Sequence, residues 1–437
     1  MRLPYMNFES RAVQKQTGAF GGYHHKLVIG DNEFFDMKNM SSNDYPAIGT
    51  RKGRGKVLKT LTKPNGIFYK NGLIYIDGTG LYYKNNWIGS VADSEKQMVG
   101  MGAYVLIWPD KMYFNTHTNE FGAIEKTYIQ NGAVTFAPVS DNSAFTKILA
   151  TGISFSQYDS VTIEGCTNAD FNKTTVVQDA GDGYIVVTAV LKEEFTQQSG
   201  LKITRKVPDM DFVCESNNRL WGCSSANHEI YSSKLGDPFN WNNFEGISTD
   251  SYAVTVGSDG DFTGCTGHLG NVLFFKEDTI HKIYGNKPAN FQINTYSLPG
   301  VAKGSSGSIC IINETLYYKG RKGVYAYDGS VPVFLSEAFG EEEYSAAHAN
   351  QYKGKYYISL KSEKGSALMV FDPSLQLWHK EDDTEMKLSA YGEGELYYVD
   401  SKNQIRTVAE EDSEETIEWM LESGTMMEST LNNKYIS

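Results

Sequence analysis

The stretch "RLWGCSSANHEIYSSKLGDPFNWNNF", Arg219 to Phe244, brings two kinds of potential metal ligand, Cys223 and His228, close to the carboxylate of Asp237 and to Trp221 and Trp241. A zinc or nucleophile site is the chemistry such residues could perform. A metal needs further ligands at a recognised spacing, and the local sequence offers none. The same letters also read as a β-hairpin: "LWGCSS" and "EIYSSKL" form its arms and "SSANHE" its turn, Asp237-Pro238 opens the next connection, and Trp241 anchors it. The second reading is the stronger.

Other signatures of chemistry fail on spacing. "SDGDFTG" (258–264) has the wrong order for a sialidase Asp-box and lacks its tryptophan. "GVAKGSSG" and "GTRKGRGK" lack the G-K-[ST] ending of a phosphate-binding loop, and no G-x-S-x-G elbow occurs. "DAGDGYI" (179–185) is too poor in oxygen ligands for an EF-hand and reads as a turn. No blade closes on W-D, and the repeats lack kelch-type glycine pairs. The expectation is a protein that is not an enzyme and carries no cofactor or metal. A propeller glycosidase stays open as an alternative, because carboxylates from distant blades can converge.

The elements that carry these residues repeat. A short apolar-aromatic strand, a polar turn and a second such strand recur from "GLIYIDGTGLYYKNNW" (72–87) to "GELYYVDSKNQIRTV" (394–408). Anchors at Leu220, Leu273, Leu316, Tyr357 and Leu396, with Leu73 and Val105 before them, stand for the most part about 40 residues apart. That is the length of a four-stranded propeller blade. The fold class is therefore all-β, a propeller of six or seven blades. Between Val105 and Leu220 lie about 80 residues more than one period. They have strand signals of their own in "YDSVTIEGC" and "GYIVVTAV", which predicts a small inserted β-barrel or sandwich over 127–207. The expected organisation is a leading segment (1–56), a first part of the propeller (57–126), the insert, the rest of the propeller (208–408) and an acidic extension (409–437).

Composition fits this plan. Aromatics reach 13%, with 28 Tyr and 22 Phe, and 42 Gly stand against 11 Pro, as pleated strands and tight turns require. A net charge of −13 opposes a surface built to hold phosphate. The five cysteines, at 166, 214, 223, 265 and 310, contain no C-x2-C pair and read as reduced core thiols. The N-terminus shows no apolar h-region and no run long enough to span a bilayer, so a soluble product assembled in the cytoplasm is expected. Against the acidic balance stands Arg51, Lys52, Arg54, Lys56 and Lys59, a candidate contact for another subunit, an acidic partner or phosphate; the bland alternative is a solvated strand edge. "EEDSEET" (410–416) is the opposite run, and two such runs could pair neighbouring subunits around a ring.

With these residues in view, the chain resembles a family of tailed-phage virion proteins, the propeller-bearing tail-hub or nozzle proteins of short-tailed phages and related prophages. "DNEFFDMKNMSSNDYPAIGTRKG" (31–53) is similar to a leading segment in which D-x-x-N-(L/M) precedes Pro and Arg-x-G. "NRLWGCSSANHEIYSSKLGDPFNW" resembles the family's most recognisable blade, and "YDSVTIEGCTNADFNKTTVVQDAGDGYIVV" its inserted domain. The resemblance spans most of residues 20–380, and "IEWMLESGTMMESTLNNKYIS" looks like a strand leading towards a further domain. It implies a virion-tail protein, a homo-oligomeric ring below the portal that contacts a portal or head-tail adaptor and other tail proteins, with genomic DNA only as passing cargo and no membrane span. It implies scaffold roles for Trp221, Asp237, Pro238 and Trp241, and no catalytic residue. A glycan-binding, lectin-like propeller and a host cytoplasmic scaffold are the rivals.

Overall fold

The computed structural model describes residues 18–140, 143–410, 413 and 415–424. Among them, seven four-stranded antiparallel sheets follow one another along the chain. The first six begin at Pro64–Tyr69, Gln97–Met101, Phe212–Ser216, Gly264–His268, Cys310–Ile312 and Ala346–Tyr352. The seventh takes three strands from Leu388–Gly392, Glu395–Val399 and Gln404–Thr407. Its fourth is Lys59–Thr60, from the far end of the chain. The chain is a seven-bladed β-propeller.

Burial explains why the sheets form a ring. Each neighbouring pair shares one apolar cluster: Ile74 and Leu81 meet Val105 and Phe114 between blades one and two, and Trp108 meets Trp241 between two and three. Cys223 meets Phe274, Phe275 meets Tyr318, Tyr317 meets Tyr356, and Tyr357 meets Tyr398 at the next four interfaces. Ile67 and Tyr75 pack on Val399 and Ile405, so the seventh blade closes on the first. Each blade thus packs on both of its neighbours, which is what makes a ring of small sheets stable.

The recurring anchors, from Leu73 to Leu396, all fall on second strands, where both neighbours cover the side chains. The innermost strands carry small residues instead, because seven backbones converge there. On one of them, a Cβ at Gly267 would lie 2.9 Å from the Cβ of Ser216 on the neighbouring blade.

Between blades two and three the chain builds an eight-stranded antiparallel sheet, from Lys126–Ile129 to Lys202–Arg205. It curls over its own core of Phe136, Ile148, Val161, Phe171, Val187 and Ile203. A bulge between Val177 and Asp179 lets one long strand, Thr174–Gly181, serve both halves. The insert thus leaves from the connection between two blades.

The ends depart from the simple division into leader, ring and tail. Residues 53–61 run alongside 403–410, through Gly55 N to Thr407 O (3.0 Å), Leu58 N to Ile405 O (2.9 Å) and a bridge from Gly53 to Glu410. Glu33–Lys38 pairs with Met420–Ser423. The leading and trailing segments therefore form one structure, packed on the sixth blade through Phe20, Met37, Phe371 and Trp378. Among the described residues no helix is long and apolar enough to cross a membrane.

Candidate functional site

Three places merit attention: the third-blade corner, the basic segment and the axis. At the corner, Arg219 is fully buried and donates to the carbonyls of Ser233 (2.8 Å), Asp250 (2.6 Å) and Ser248 (2.9 Å). It thereby ties the hairpin to the connection that follows. That connection is a tight turn in which Asp237 accepts from Phe239 N (2.9 Å) and Asn240 Nδ2 (2.6 Å), while the Trp241 indole donates to Pro238 O (3.0 Å). Trp241 is 2% exposed and meets Trp108 edge-on, with ring centroids 6.0 Å apart.

The turn also holds the insert. Asn240 Oδ1 accepts from Ser160 N (2.8 Å), and Ser160 Oγ donates to Asn242 O (2.6 Å). Beside them, buried Arg205 bridges Asp159 (2.7 Å) and the carbonyl of Ile124 (2.9 Å) under the ring of Phe239. A run of letters that looks chemical is thus a bracket between ring and insert. Cys223 is fully buried and His228 sits exposed at the hairpin turn with φ 53°, so the two do not converge. Asn240, Ser160, Asp159 and Arg205 escaped the sequence reading; "D-P-x-N-W" contained the first, but its partners lie far away in the chain.

The basic segment divides. Arg51 and Arg54 are buried inside the chain, which corrects the expectation of one exposed contact patch. Arg54 pairs with Glu381 (2.8 Å) and Asp382 (2.7 Å), and Arg51 with Asp382 (3.2 Å) and Glu415 (3.0 Å). Burial alone would lower the Arg54 pKa, but the two carboxylates outweigh it and raise it. Burial pushes the Glu381 carboxyl up against the pull of Arg54, whereas Asp382, between two guanidinium groups, is held below its ordinary range. The hydrogen bond from Arg51 holds Glu415 low as well. Part of the acidic run therefore pairs with the basic run of the same chain; Glu411, Asp412 and Glu414 lie outside the described residues. Lys52, Lys56 and Lys59 remain exposed, and Lys56 and Lys59 flank the exposed Val57 and Leu58 on the outer edge of the closing blade. Lysine there discourages edge-to-edge pairing.

Along the axis lie two adjoining cavities of about 490 and about 440 Å³, walled by the innermost strands. Gly, Ala and Ser recur in their lining beside Phe68, Met98 and Ile309, and the first also reaches Lys361, Glu385 and Lys387. His348 is half-buried in this wall, and desolvation lowers its pKa to about 4, leaving a neutral imidazole. Among the described residues no group of three or more His, Cys, Asp and Glu is arranged to hold a metal ion.

No protein-family model and no curated protein matches the chain. Solved structures do. BamB from Moraxella catarrhalis is 9% identical, over 84% of this chain and 96% of its own, with a TM-score of 0.39. The computationally designed Ika8 protein is 10% identical, over 81% and 99%, with a TM-score of 0.37. A phage phi92 endosialidase is 10% identical, over 94% and 82%, with a TM-score of 0.31. Likeness this distant carries no inference about function.

Proposed function

We propose that this chain is a structural protein of a tailed-phage virion, a ring-forming component of the tail hub or nozzle that lines the DNA conduit below the portal. The observation that supports the reading is the third-blade corner. The residues by which the sequence resembles that family, Arg219, Trp221, Asp237, Pro238 and Trp241, are engaged in packing and in bracketing the insert. A protein whose signature is its internal rigidity suits a load-carrying ring. The axial cavities are too small for a duplex whose major groove alone spans about 12 Å. On this reading the conduit therefore lies between copies, and the portal or adaptor and further tail proteins are the partners. The net charge of −13 suits a wall past which phosphate slides without adhering.

The test pairs sedimentation with filter binding. The purified chain, alone or with its portal-side partner, is expected to form discrete closed oligomers and to retain negligible duplex DNA at physiological salt. Changing Lys56 and Lys59 to Glu should leave the fold intact. If these lysines face an acidic neighbour, assembly weakens, most at low salt, where attraction reaches furthest. Tight, salt-sensitive duplex binding by the unaltered protein, lost in the double variant, would instead mean that the lysines grip phosphate, and would overturn the smooth-conduit reading.

A further inference from the structure

We propose that Cys214 and Cys265 form a site of reversible disulfide modification that staples the third blade to the fourth at the propeller axis. The inference stands on the fold and is independent of the virion reading. Cys214 lies on the innermost strand of blade three, Phe212–Ser216, and Cys265 on that of blade four, Gly264–His268. These two strands run side by side. A Cβ on Gly267 would sit 2.9 Å from Ser216 Cβ. Two residues earlier on each strand, on the same face by the alternation of a pleated strand, come Cys265 and Cys214. The offset between strands is the same for both pairs, so the two Cβ atoms face each other across the closest approach of the blades. A disulfide requires Cβ atoms about 3.5–4.5 Å apart.

The side chains follow the backbone. Cys214 and Cys223 are buried in one apolar cluster and Cys265 packs against it, close enough for its thiol to raise the Cys214 pKa. All three are free. Cys214 and Cys265 both line the axial cavity of about 440 Å³, which gives a small reagent a route to them. Cys223 is fully buried and is not part of that wall. It sits on the second strand of its blade, opposite Phe212, whereas Cys214 pairs with Trp221. Position and access together favour Cys214 over Cys223 as the partner of Cys265.

The oxidant is a low-molecular-weight disulfide. The Cys265 thiolate attacks one of its sulfurs, releasing one small thiol and leaving a mixed disulfide on the protein. The Cys214 thiolate then attacks the Cys265 sulfur and expels the second small thiol. The reagent's S–S bond is broken and the protein's is formed. Two electrons pass to the reagent, and the released thiols take up the two protons. The neighbouring Cys265 thiol and burial raise the Cys214 pKa, and burial raises that of Cys265, so thiolate is scarce and the exchange is slow.

The experiment is a long incubation of the folded full-length chain with oxidised glutathione, followed by peptide mapping and thermal unfolding. The expected result is loss of two of the five free thiols, a linked peptide pair containing Cys214 and Cys265, and an unfolding temperature higher by a few degrees, reversed by reductant. Cys223→Ser should keep the linkage and Cys265→Ser should abolish it. Glutathione retained as a mixed disulfide, a link to Cys223, or five intact thiols in the folded chain when the denatured chain reacts fully would each overturn the proposal. The mapping is made on the unaltered protein, so a poorly folding variant does not blur the answer.

Discussion

Replacing Arg54 with methionine should destabilise the propeller by about 3–5 kcal/mol, the cost of leaving a buried carboxylate without its counter-charge. Glu381 bears that cost. Its side chain is 4% exposed, and Arg54 is the cation that lies 2.8 Å from it. Asp382 keeps Arg51 at 3.2 Å and should be much less disturbed. The sign of the pH dependence follows. A carboxyl whose pKa is raised in the fold, as for Glu381, takes up a proton more readily folded than unfolded, so its penalty shrinks as pH falls. Losing Arg54 raises that pKa further. The deficit of the variant should therefore be largest near neutrality and narrow towards the acid side. Asp382 and Glu415 act in the opposite sense, because their depressed pKa values give stability above the ordinary carboxylate range that acid removes in both proteins. Changing Glu381 to Leu as well should recover most of the loss, since a buried pair replaced by apolar groups is often neutral. Denaturant unfolding of both variants at two pH values measures this. A second loss of equal size on adding Glu381→Leu would show that the pair is not the cause.

Little of this network was legible in the sequence, for a physical reason. Arg51 and Arg54 stand in a run of cations that looks solvated, and their partners lie more than three hundred residues away, on the sixth blade and in the trailing segment. Composition reports charge but not which charges a ring closure brings together. The closing strand Lys59–Thr60 was hidden for the same reason: two exposed residues have no periodicity, and only the vacant edge of the last blade gives them a place. The second strands were plain, because residues such as Leu316, Tyr317 and Tyr318 are covered on both faces and must be apolar throughout. The inner strands were not. Gly264–His268 and Ala346–Tyr352 trade bulk for closeness at the axis and so lose the apolar signal. The insert declared itself by its length, and its bracket to Asn240 by nothing at all.

Trp241→Ala should also cost about 3–5 kcal/mol, as a large aromatic truncated in a packed interface. The side chain fills the seam between blades two and three against Trp108, Leu106 and Leu220. Its indole N–H closes the turn on Pro238 O. A comparison with Trp221 separates the two contributions. Trp221 is as deeply buried, packed edge-on against Phe291 and Tyr252, but its indole nitrogen has no hydrogen-bond partner. Trp221→Phe removes a donor that is already unsatisfied, whereas Trp241→Phe strands a carbonyl, so the second should cost more by about 1 kcal/mol. Exposed His228, replaced by Gly at its positive-φ turn, should shift stability by no more than about 0.5 kcal/mol. Trp241 carries a further consequence that Trp221 does not. Its neighbour Asn240 accepts the amide of Ser160, so a loosened turn frees the insert. Hydrogen exchange at Ser160 should accelerate in Trp241→Ala and stay unchanged in Trp221→Phe. Equal protection of Ser160 in both would mean that the insert is held without this turn, and that the tryptophan only fills space.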